Sequence, residues 1–320
     1  MADFRIGYLY SLSPIHCGGE GDLGNILEIA REVHTNFPYI PGSSLRGSLR
    51  DEVKYANPDG EEIANRLFGK ELDADKGEMG VHQVWFGDAR VLWVPMRTMS
   101  LEGSGDAFTW VSCHSLVRDH ALVSRQSIPA FRKQPVGTRS GIYWVADSKI
   151  EVELMNEDEK AATQLKGEWA DSLKGDVKST WDNNRLVLPD SDFEILMEHS
   201  LWTQIRNKIQ DKDDANTSQG SAEVFWTDVC IPRDTIFYFS WGYNLLKDKR
   251  DKPNPNKLTS QDHQILMEVM KGLLQVGGQA NVGRGWVQSW VADATDPTSN
   301  TNPGSQAEIT ASQEPAPVEA

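Results

Sequence analysis

The segment that most constrains the fold is residues 37–54, in which a break in the chain is followed by a helical pattern. Pro41 and Gly42 interrupt a short apolar run. Three apolar side chains then recur every four residues: Leu45, Leu49 and Val53. This spacing predicts a helix that buries one face. Because a single amphipathic helix is marginal in water, the rest of the chain must provide a surface that covers this face.

The adjacent face of the same helix carries three cations: Arg46, Arg50 and Lys54. Ser43 or Ser44 is predicted to cap the helix, and its free amides and positive dipole end suit a phosphate. Gly42 and Gly47 have no side chain that would keep the backbone of a ligand away. One side of the helix is therefore expected to be buried and the other to bind an anion, the alternative being a merely solvated face.

The remaining patterns predict an α+β fold. Strands are predicted at residues 3–12, at 83–95 with a Gly-Asp break, at 223–242 as two strands, and at 286–292. Helices are predicted at 61–68 and 259–274, with Gly277 and Gly278 ending the second one. The order strand, helix, strands and then strands, helix, strand fits a ferredoxin-like (RRM-like) βαββαβ core.

Composition divides the chain into one domain and a tail. We expect residues 1–291 to form a domain with large insertions at about 56–82 and 120–220, where the sequence is acidic or polar. Residues 292–320 are rich in Pro, Ser and Thr and lack Lys and Arg, which predicts a disordered acidic tail. The net charge of −15 opposes binding to nucleic acid only on average, since residues 31–54 are locally basic.

Several classes of protein are excluded by what the sequence lacks. Its three cysteines form no C-x-x-C pair, which excludes a zinc ribbon or a thioredoxin motif. No apolar run approaches the length of a membrane span. The first residues lack the basic region and cleavage site of a signal peptide, so a cytoplasmic protein is expected.

A glycine-rich segment near the end of the predicted domain offers a second anion site. Residues 277–285 read GGQANVGRG. Gly283 and Gly285 would expose bare backbone on both sides of the Arg284 guanidinium. The alternative is a simple helix stop followed by a turn.

Three motifs together resemble the RAMP superfamily, the repeat-associated proteins of CRISPR systems. Residues 37–50 read FPYIPGSSLRGSLR, almost letter for letter a signature of that family. Residues 86–90 read FGDAR and are followed by VPMRT at 94–98, and residues 277–285 form the third motif. The chain is most similar to the backbone subunit of the type III-B (Cmr) effector, and next to its relative in the type III-A (Csm) effector.

The resemblance implies a crRNA-binding subunit that repeats along the guide and holds the guide–target duplex in antiviral defence. Its partners would be crRNA, complementary target RNA, further copies of itself and other subunits of the complex, with no membrane and no cofactor needed for binding. Contacts to the backbone rather than the bases suit a protein that must hold any guide. The expected RNA-binding residues are Arg31, Ser43, Ser44, Arg46, Gly47, Arg50, Lys54, Gly283, Arg284 and Gly285.

The resemblance also implies a metal-dependent endoribonuclease, but the implied catalytic position is altered. The family has an Asp five residues before an Arg-Glu dipeptide, and here the Arg is Arg31, so the matching position is Ile26. An alkyl side chain neither binds Mg²⁺ or a similar divalent cation nor transfers a proton. The candidate substitutes are Asp22, Glu28, His16 and Asp228, the last two at positions that match the family; the metal ligands stay unassigned.

A third possibility is an enzyme that processes precursor crRNA. Cleavage by a pair of histidines needs an acid and a base on either side of the RNA. His16 and His34 flank the same loop, residues 17–33, so this alternative stays open.

Overall fold

The computed structural model describes most of the chain and shows a mixed fold of helices and strands. The described residues are 3–19, 25–69, 82–100, 107–128, 130, 132–166, 176–209, 222–244 and 258–293. The predicted tail lies outside them beyond residue 293. No helix within the described residues is long and apolar enough to cross a membrane.

The elements follow one another in three groups. The first group is β1 (Arg5–Ser11), β2 (Ile26–Leu27), β3 (Tyr39–Ile40), α1 (Gly42–Ala56), α2 (Gly60–Phe68), β4 (Val84–Phe86) and β5 (Ala89–Ser100). The second is β6 (Phe108–Cys113), α3 (His114–Val123), β7 (Val136–Gly137), β8 (Gly141–Val145), β9 (Ser148–Leu154), α4 (Glu157–Ala162), α5 (Asp176–Asn183), β10 (Arg185–Leu188) and α6 (Asp190–Ser200). The third is β11 (Trp202–Ile209), β12 (Ala222–Cys230), β13 (Ile236–Tyr243), α7 (Ser260–Met270), β14 (Leu273–Gln275), a 3₁₀ turn (Ala280–Val282) and β15 (Trp286–Val291).

A central sheet lies between two layers of core. Its strands run β14-β15-β1-β13-β5, each antiparallel to its neighbour. β1 is buried along its whole length, and its side chains alternate between the two layers because successive residues of a strand point to opposite faces. Leu9 packs in the larger layer with α1 and α2, while Tyr8 and Tyr10 pack in a smaller layer rich in tryptophan.

The strands of the middle segment close into a ring. From β5 the ring passes through β6, β10, β7, β9 and β8 and returns to β5. β5 serves both sheets because it is long: its first residues pair with β13, and its last residues pair with β6 and β8.

Helix α1 begins earlier than the sequence predicts, since a cap at Ser43 or Ser44 would leave Gly42 outside the helix. It starts at Gly42, and neither Ser43 nor Ser44 caps it. The first amide, that of Gly42, instead donates to Asp88 Oδ1 at 2.7 Å. A Cβ at Gly42 would lie 2.8 Å from the carbonyl oxygen of Phe86, so this glycine allows the helix to approach the turn before β5.

Helix α7 ends four residues earlier than the sequence predicts. Lys271 and Gly272 end it, and Leu273–Gln275 forms β14 beside β15. Gly277 and Gly278 therefore do not terminate the helix. Gly277 has a φ of +80° and lies against His16, where a Cβ would be 2.5 Å from the His16 carbonyl oxygen.

Three further strands form a smaller sheet, separate from the central one. β11 and β12 are an antiparallel pair, and β2 adds in parallel beside β12. In this register Thr227 lies opposite Ile26, and Asp228 lies opposite Leu27. The smaller sheet thus carries two candidate site positions on neighbouring strands.

Candidate functional site

The cations of α1 have unequal environments. Arg50 is buried and donates to the carbonyl oxygen of Gly69 at 2.5 Å and to Asn65 Oδ1 at 2.8 Å. The expectation that Arg50 is an exposed phosphate ligand is wrong, because α2 packs against α1 and its last turn occupies this guanidinium. Arg46 is half-buried, bonds to the carbonyl oxygen of Phe68 and lies 5.8 Å from the centre of the Phe68 ring. Burial, and next the charge of Arg50, lowers the pKa of Arg46.

The outer surface of α1 is the accessible part of this helix. Lys54 is partly exposed and bonds to Glu61 at 2.6 Å. Ser43 is exposed and Ser44 is half-buried. A Cβ at Gly47 would have open space around it, which fits a close approach by a ligand. Arg46, Gly47 and Lys54 thus share a side of the helix that an anion can reach.

The N-terminus of α1 is less open to a phosphate than the sequence predicts. Its first amide already binds the Asp88 carboxylate. The amides of Ser44 and Leu45 donate to the carbonyl oxygen of Pro41, at 2.9 and 3.1 Å. Since a carboxylate occupies the positive end of the helix, the guanidinium and ammonium groups are the stronger anion ligands here.

The glycine-rich segment at 277–285 packs against the loop after β1. Gly278 N–H donates to the carbonyl oxygen of His16 at 2.8 Å, and Gly285 N–H donates to that of Pro14 at 3.0 Å. Gly285 has a φ of +84°, and a Cβ there would be 2.1 Å from the carbonyl oxygen of Val276. Gly283 has a φ of +76° with open space around its Cβ position, so it alone of these two glycines leaves room for a ligand.

Arg284 is not the exposed guanidinium that the sequence predicts. Its side chain is 4% exposed, and its Nη1 donates to Asp228 Oδ2 at 3.0 Å. It also bonds to Gln204 Oε1 at 2.8 Å and to Gln279 Oε1, and its guanidinium lies 4.9 Å from the centre of the Trp202 ring. A buried carboxylate and two amide oxygens therefore occupy the donors that were expected to bind RNA.

Asp228 is fully buried and binds two arginines through one oxygen. Besides Arg284, Arg206 Nη1 donates to Asp228 Oδ2 at 3.3 Å. Asp228 Oδ1 is buried without a hydrogen-bond partner among the described residues. Sequence reasoning missed Arg206, because only the register of β11 and β12 brings it beside a residue 22 positions away.

Ile26 and Asp228 project from opposite faces of the smaller sheet. Residues opposite each other on paired strands share a face, and successive residues alternate. Ile26 therefore shares a face with Thr227 and with Ile205, which lies opposite Thr227, whereas Asp228 shares the other face with Gln204. The face of Ile26 is apolar and exposed, with Ile26 37% and Ile205 75% exposed.

The other candidate catalytic residues do not gather around Ile26. His16 is buried, and its Nδ1 lies 2.8 Å from the carbonyl oxygen of Val229. Glu28 Oε2 lies 3.7 Å from Arg31 Nη2, and the same arginine bonds to Glu198 at 2.5 Å, so Arg31 is engaged by two carboxylates. Asp22 lies outside the described residues.

The described carboxylates do not fit a divalent cation as they stand. Glu28 and Asp228 each face at least one guanidinium, which competes with a metal for the same oxygens. In the part of the chain that the structure describes, no three His, Cys, Asp or Glu side chains are arranged to hold a metal ion.

Comparison with known proteins gives one consistent result. The model of the RAMP superfamily matches residues 8–288. The chain is 30% identical to the CRISPR system Cmr endoribonuclease Cmr4 of Pyrococcus furiosus, over 92% of this chain and 98% of that protein. Two solved structures share the fold. One is a cryo-EM structure of the type III-B Cmr-beta bound to cognate target RNA, with a TM-score of 0.68, 17% identity and coverage of 91% of this chain and 98% of that chain. The other is oligomeric Cmr4 from Pyrococcus furiosus, with a TM-score of 0.62, 20% identity and coverage of 92% of this chain and 100% of that chain.

Proposed function

Since the chain belongs to the RAMP superfamily, we propose that it is a crRNA-binding backbone subunit of a type III-B (Cmr) CRISPR effector complex. The observation that carries the proposal is the match to a Cmr protein along nearly the whole length of both chains. A shared domain alone would leave large parts of one chain unmatched, and here 98% of the relative is covered. In this role the protein holds the guide and its target in antiviral defence.

The partners follow from the same role. They are crRNA, complementary target RNA, further copies of this chain and other subunits of a type III complex, and the complex acts in the cytoplasm. A similar structure is that of an oligomeric relative, and another belongs to a complex bound to target RNA. The first supports a protein that works as one of several copies, and the second supports one that works on RNA.

The finer architecture that we propose is a ferredoxin-like core with insertions. The order β15-β1-β13-β5, with α1 between β1 and β5 and α7 between β13 and β15, supports a βαββαβ core. Residues 56–82 then form one insertion and 120–220 the other, which contributes strands to the ring. The core presents α1 and the glycine-rich segment from two different connections of the same sheet.

The accessible cations of α1 are the proposed RNA contacts in this region. Arg46 and Lys54 are accessible in part, and the bare backbone at Gly47 allows a sugar–phosphate chain to come close. Neither side chain reads a base, which suits a subunit that must accept any guide. Ser43 is exposed beside them, and its hydroxyl is a proposed phosphate donor.

The test is binding of single-stranded RNA of crRNA length to the full chain at several salt concentrations. Replacing Arg46 and Lys54 together by Gln should weaken binding. The slope of the logarithm of RNA affinity against the logarithm of salt concentration should fall in magnitude by about 1.4, or about 0.7 for each lost phosphate contact. The matched control is Arg118→Gln with Lys160→Gln, which removes the same charges from a partly exposed pair on other helices. Equal affinity and slope in the α1 variant and the wild type would exclude α1 as an RNA surface.

A second observable separates a backbone subunit from an enzyme that acts alone. A subunit that repeats along RNA should protect a footprint that lengthens in equal steps as protein is added. A processing enzyme should bind one precursor site and cut once. The two histidines do not favour processing, because RNA can reach only one of the two side chains. His16 is buried, whereas the His34 side chain is 75% exposed.

Endoribonuclease activity is the second candidate function, because the similar Pyrococcus furiosus protein is named an endoribonuclease. The described residues do not favour it, because Ile26 supplies no oxygen ligand and Asp228 lies on the other face of its sheet. We expect weak or absent cleavage of complementary RNA with Mg²⁺ in the wild type, and stronger cleavage after Ile26→Asp. Ile26→Asn controls for the change in shape. Robust wild-type cleavage would contradict this expectation, and if Asp22→Ala and Glu28→Ala both left that cleavage intact, neither acid would be the substitute for the missing carboxylate.

A further inference from the structure

We propose that Arg206 is a phosphate-binding residue on the β11–β12 hairpin and that Asp228 is a positioning residue that holds its guanidinium, not a catalytic acid. The inference rests on the proposed RNA-binding function and adds a contact that the sequence does not indicate. Three side chains, Arg206, Asp228 and Arg284, are joined by hydrogen bonds and form what we call the arginine–aspartate triad.

The triad has a net positive charge, because it contains two arginines and one aspartate. A single carboxylate oxygen of Asp228 accepts from both guanidinium groups, at 3.0 Å from Arg284 and 3.3 Å from Arg206. The shorter bond goes to Arg284, which is 4% exposed and has two further amide acceptors. The surplus charge therefore lies on Arg206, the member that is 30% exposed.

Two tryptophans frame the guanidinium groups of the triad. Arg206 lies 5.6 Å from the centre of the Trp226 ring, and Arg284 lies 4.9 Å from that of Trp202. A cation stacked on an aromatic ring is held in place while its outer N–H groups stay available. Trp202 is 39% exposed, so the same face offers an aromatic surface next to a cation, a combination that suits single-stranded nucleic acid.

The role of Asp228 follows from what surrounds it. It is fully buried, both cations reach it through one oxygen, and its position places it on the sheet face opposite Ile26. A catalytic carboxylate must reach the reacting phosphate or a metal bound to it, and this one is enclosed behind two arginines. Asp228 instead holds Arg206 against β12. Through Arg284 it also holds the glycine-rich segment against the same strand.

The first experiment measures RNA binding by Arg206→Gln in the full chain, using single-stranded RNA of crRNA length. The expected result is a dissociation constant raised about fivefold to tenfold and a log–log salt slope lowered by about 0.7. The control is Arg97→Gln, since Arg97 is also an arginine on a strand that pairs with an aspartate, but it is 76% exposed and lies in the ring. A dissociation constant and slope equal to wild type in Arg206→Gln would overturn the proposal, whereas a wild type that binds no RNA would instead overturn the proposed function.

The second experiment tests positioning by a double-mutant cycle. If Asp228 holds Arg206 in place, Arg206→Gln should have a smaller effect on RNA affinity in an Asp228→Asn background than in the wild type. Asp262→Asn provides the matched background, because Asp262 is also fully buried and bonds to an arginine, Arg66, in a distant part of the core. Coupling with Asp228→Asn alone supports positioning. Effects that add in both backgrounds, or complete loss of RNA cleavage by Asp228→Asn at unchanged affinity, would overturn it.

Discussion

The arginines of α1 and those of the arginine–aspartate triad are the same residue type put to different uses. On α1, Arg50 is buried and donates to a carbonyl oxygen and an amide oxygen of the α2 end. In the triad, Arg284 is equally buried but faces a carboxylate. The first arrangement joins two helices through neutral oxygens. The second joins three separate segments, and its carboxylate neutralises one of the two positive charges.

This difference shows that spacing along a helix predicts a face but not the partners that the face meets. Arg46, Arg50 and Lys54 do share one side of α1, as their spacing predicts. What decides which of them is accessible is α2, whose last turn covers Arg50 and half-covers Arg46. The arginine side chains of α1 are therefore least accessible where α2 packs against the helix. We expect the loss of an arginine to lower the free energy of unfolding by different amounts in α1 and in the triad.

The largest effect is expected from Arg284→Met. The substitution keeps much of the side-chain volume but leaves Asp228 buried with only the longer bond to Arg206. Breaking a buried ion pair on one side costs about 3 to 5 kcal/mol. The measurement is the free energy of unfolding from urea denaturation monitored by tryptophan fluorescence.

The control for this prediction removes both buried partners. Asp228→Leu together with Arg284→Met leaves no buried charge without its partner, and Arg206 is partly exposed to water. The double variant should therefore lose less stability than Arg284→Met alone. A single variant within about 1 kcal/mol of wild type would mean that the carboxylate is hydrated and that the contrast between the two regions is false.

An intermediate effect is expected from Arg50→Met on α1. The substitution removes a donor from the carbonyl oxygen of Gly69 and from the amide oxygen of Asn65. An unsatisfied buried acceptor costs roughly 1 to 3 kcal/mol. The same urea denaturation checks it, with Arg46→Met as the control, since Arg46 is less buried. A loss as large as that of Arg284→Met would mean that a neutral acceptor binds a guanidinium as strongly as a buried carboxylate does.

The parts of the fold that the sequence predicts well are those fixed by local pattern. β1, α1, α2 and the β12–β13 pair lie close to their predicted positions, because alternation or four-residue spacing decides them. The predicted end of α7 was wrong because it also relied on local spacing alone. Leu273 continues the apolar spacing of that helix, but pairing with β15 outweighs helix propensity from that residue onward. The ring was not predictable, since it depends on β5 pairing with β13 at one end and with β6 and β8 at the other.

The candidate site was predicted in part. The identity of the family and the accessible side of α1 follow from the motif at 37–50. Arg284 was predicted to be an exposed guanidinium and is instead buried, because a glycine on each side indicates backbone freedom and not accessibility. No pattern in the neighbouring sequence indicates a role for Arg206, since its partner Asp228 lies on the paired strand β12. Contacts between distant segments are the part of a site that pattern does not contain.

The smallest effect, and one of opposite sign, is expected from Gly47→Ala. Gly47 lies inside α1, and a Cβ there would meet no atom within 4 Å. Alanine in a helix interior is more stable than glycine by about 0.5 to 1 kcal/mol, so the melting temperature should rise. If the RNA backbone passes over this side of α1, the added methyl group should weaken RNA binding while the protein becomes more stable. Gly42→Ala is the control, because its Cβ would lie 2.8 Å from the carbonyl oxygen of Phe86 and should destabilise the fold instead. Higher stability of Gly47→Ala with unchanged affinity would show that the RNA stays clear of this face, and the binding surface would then be the triad side of the molecule.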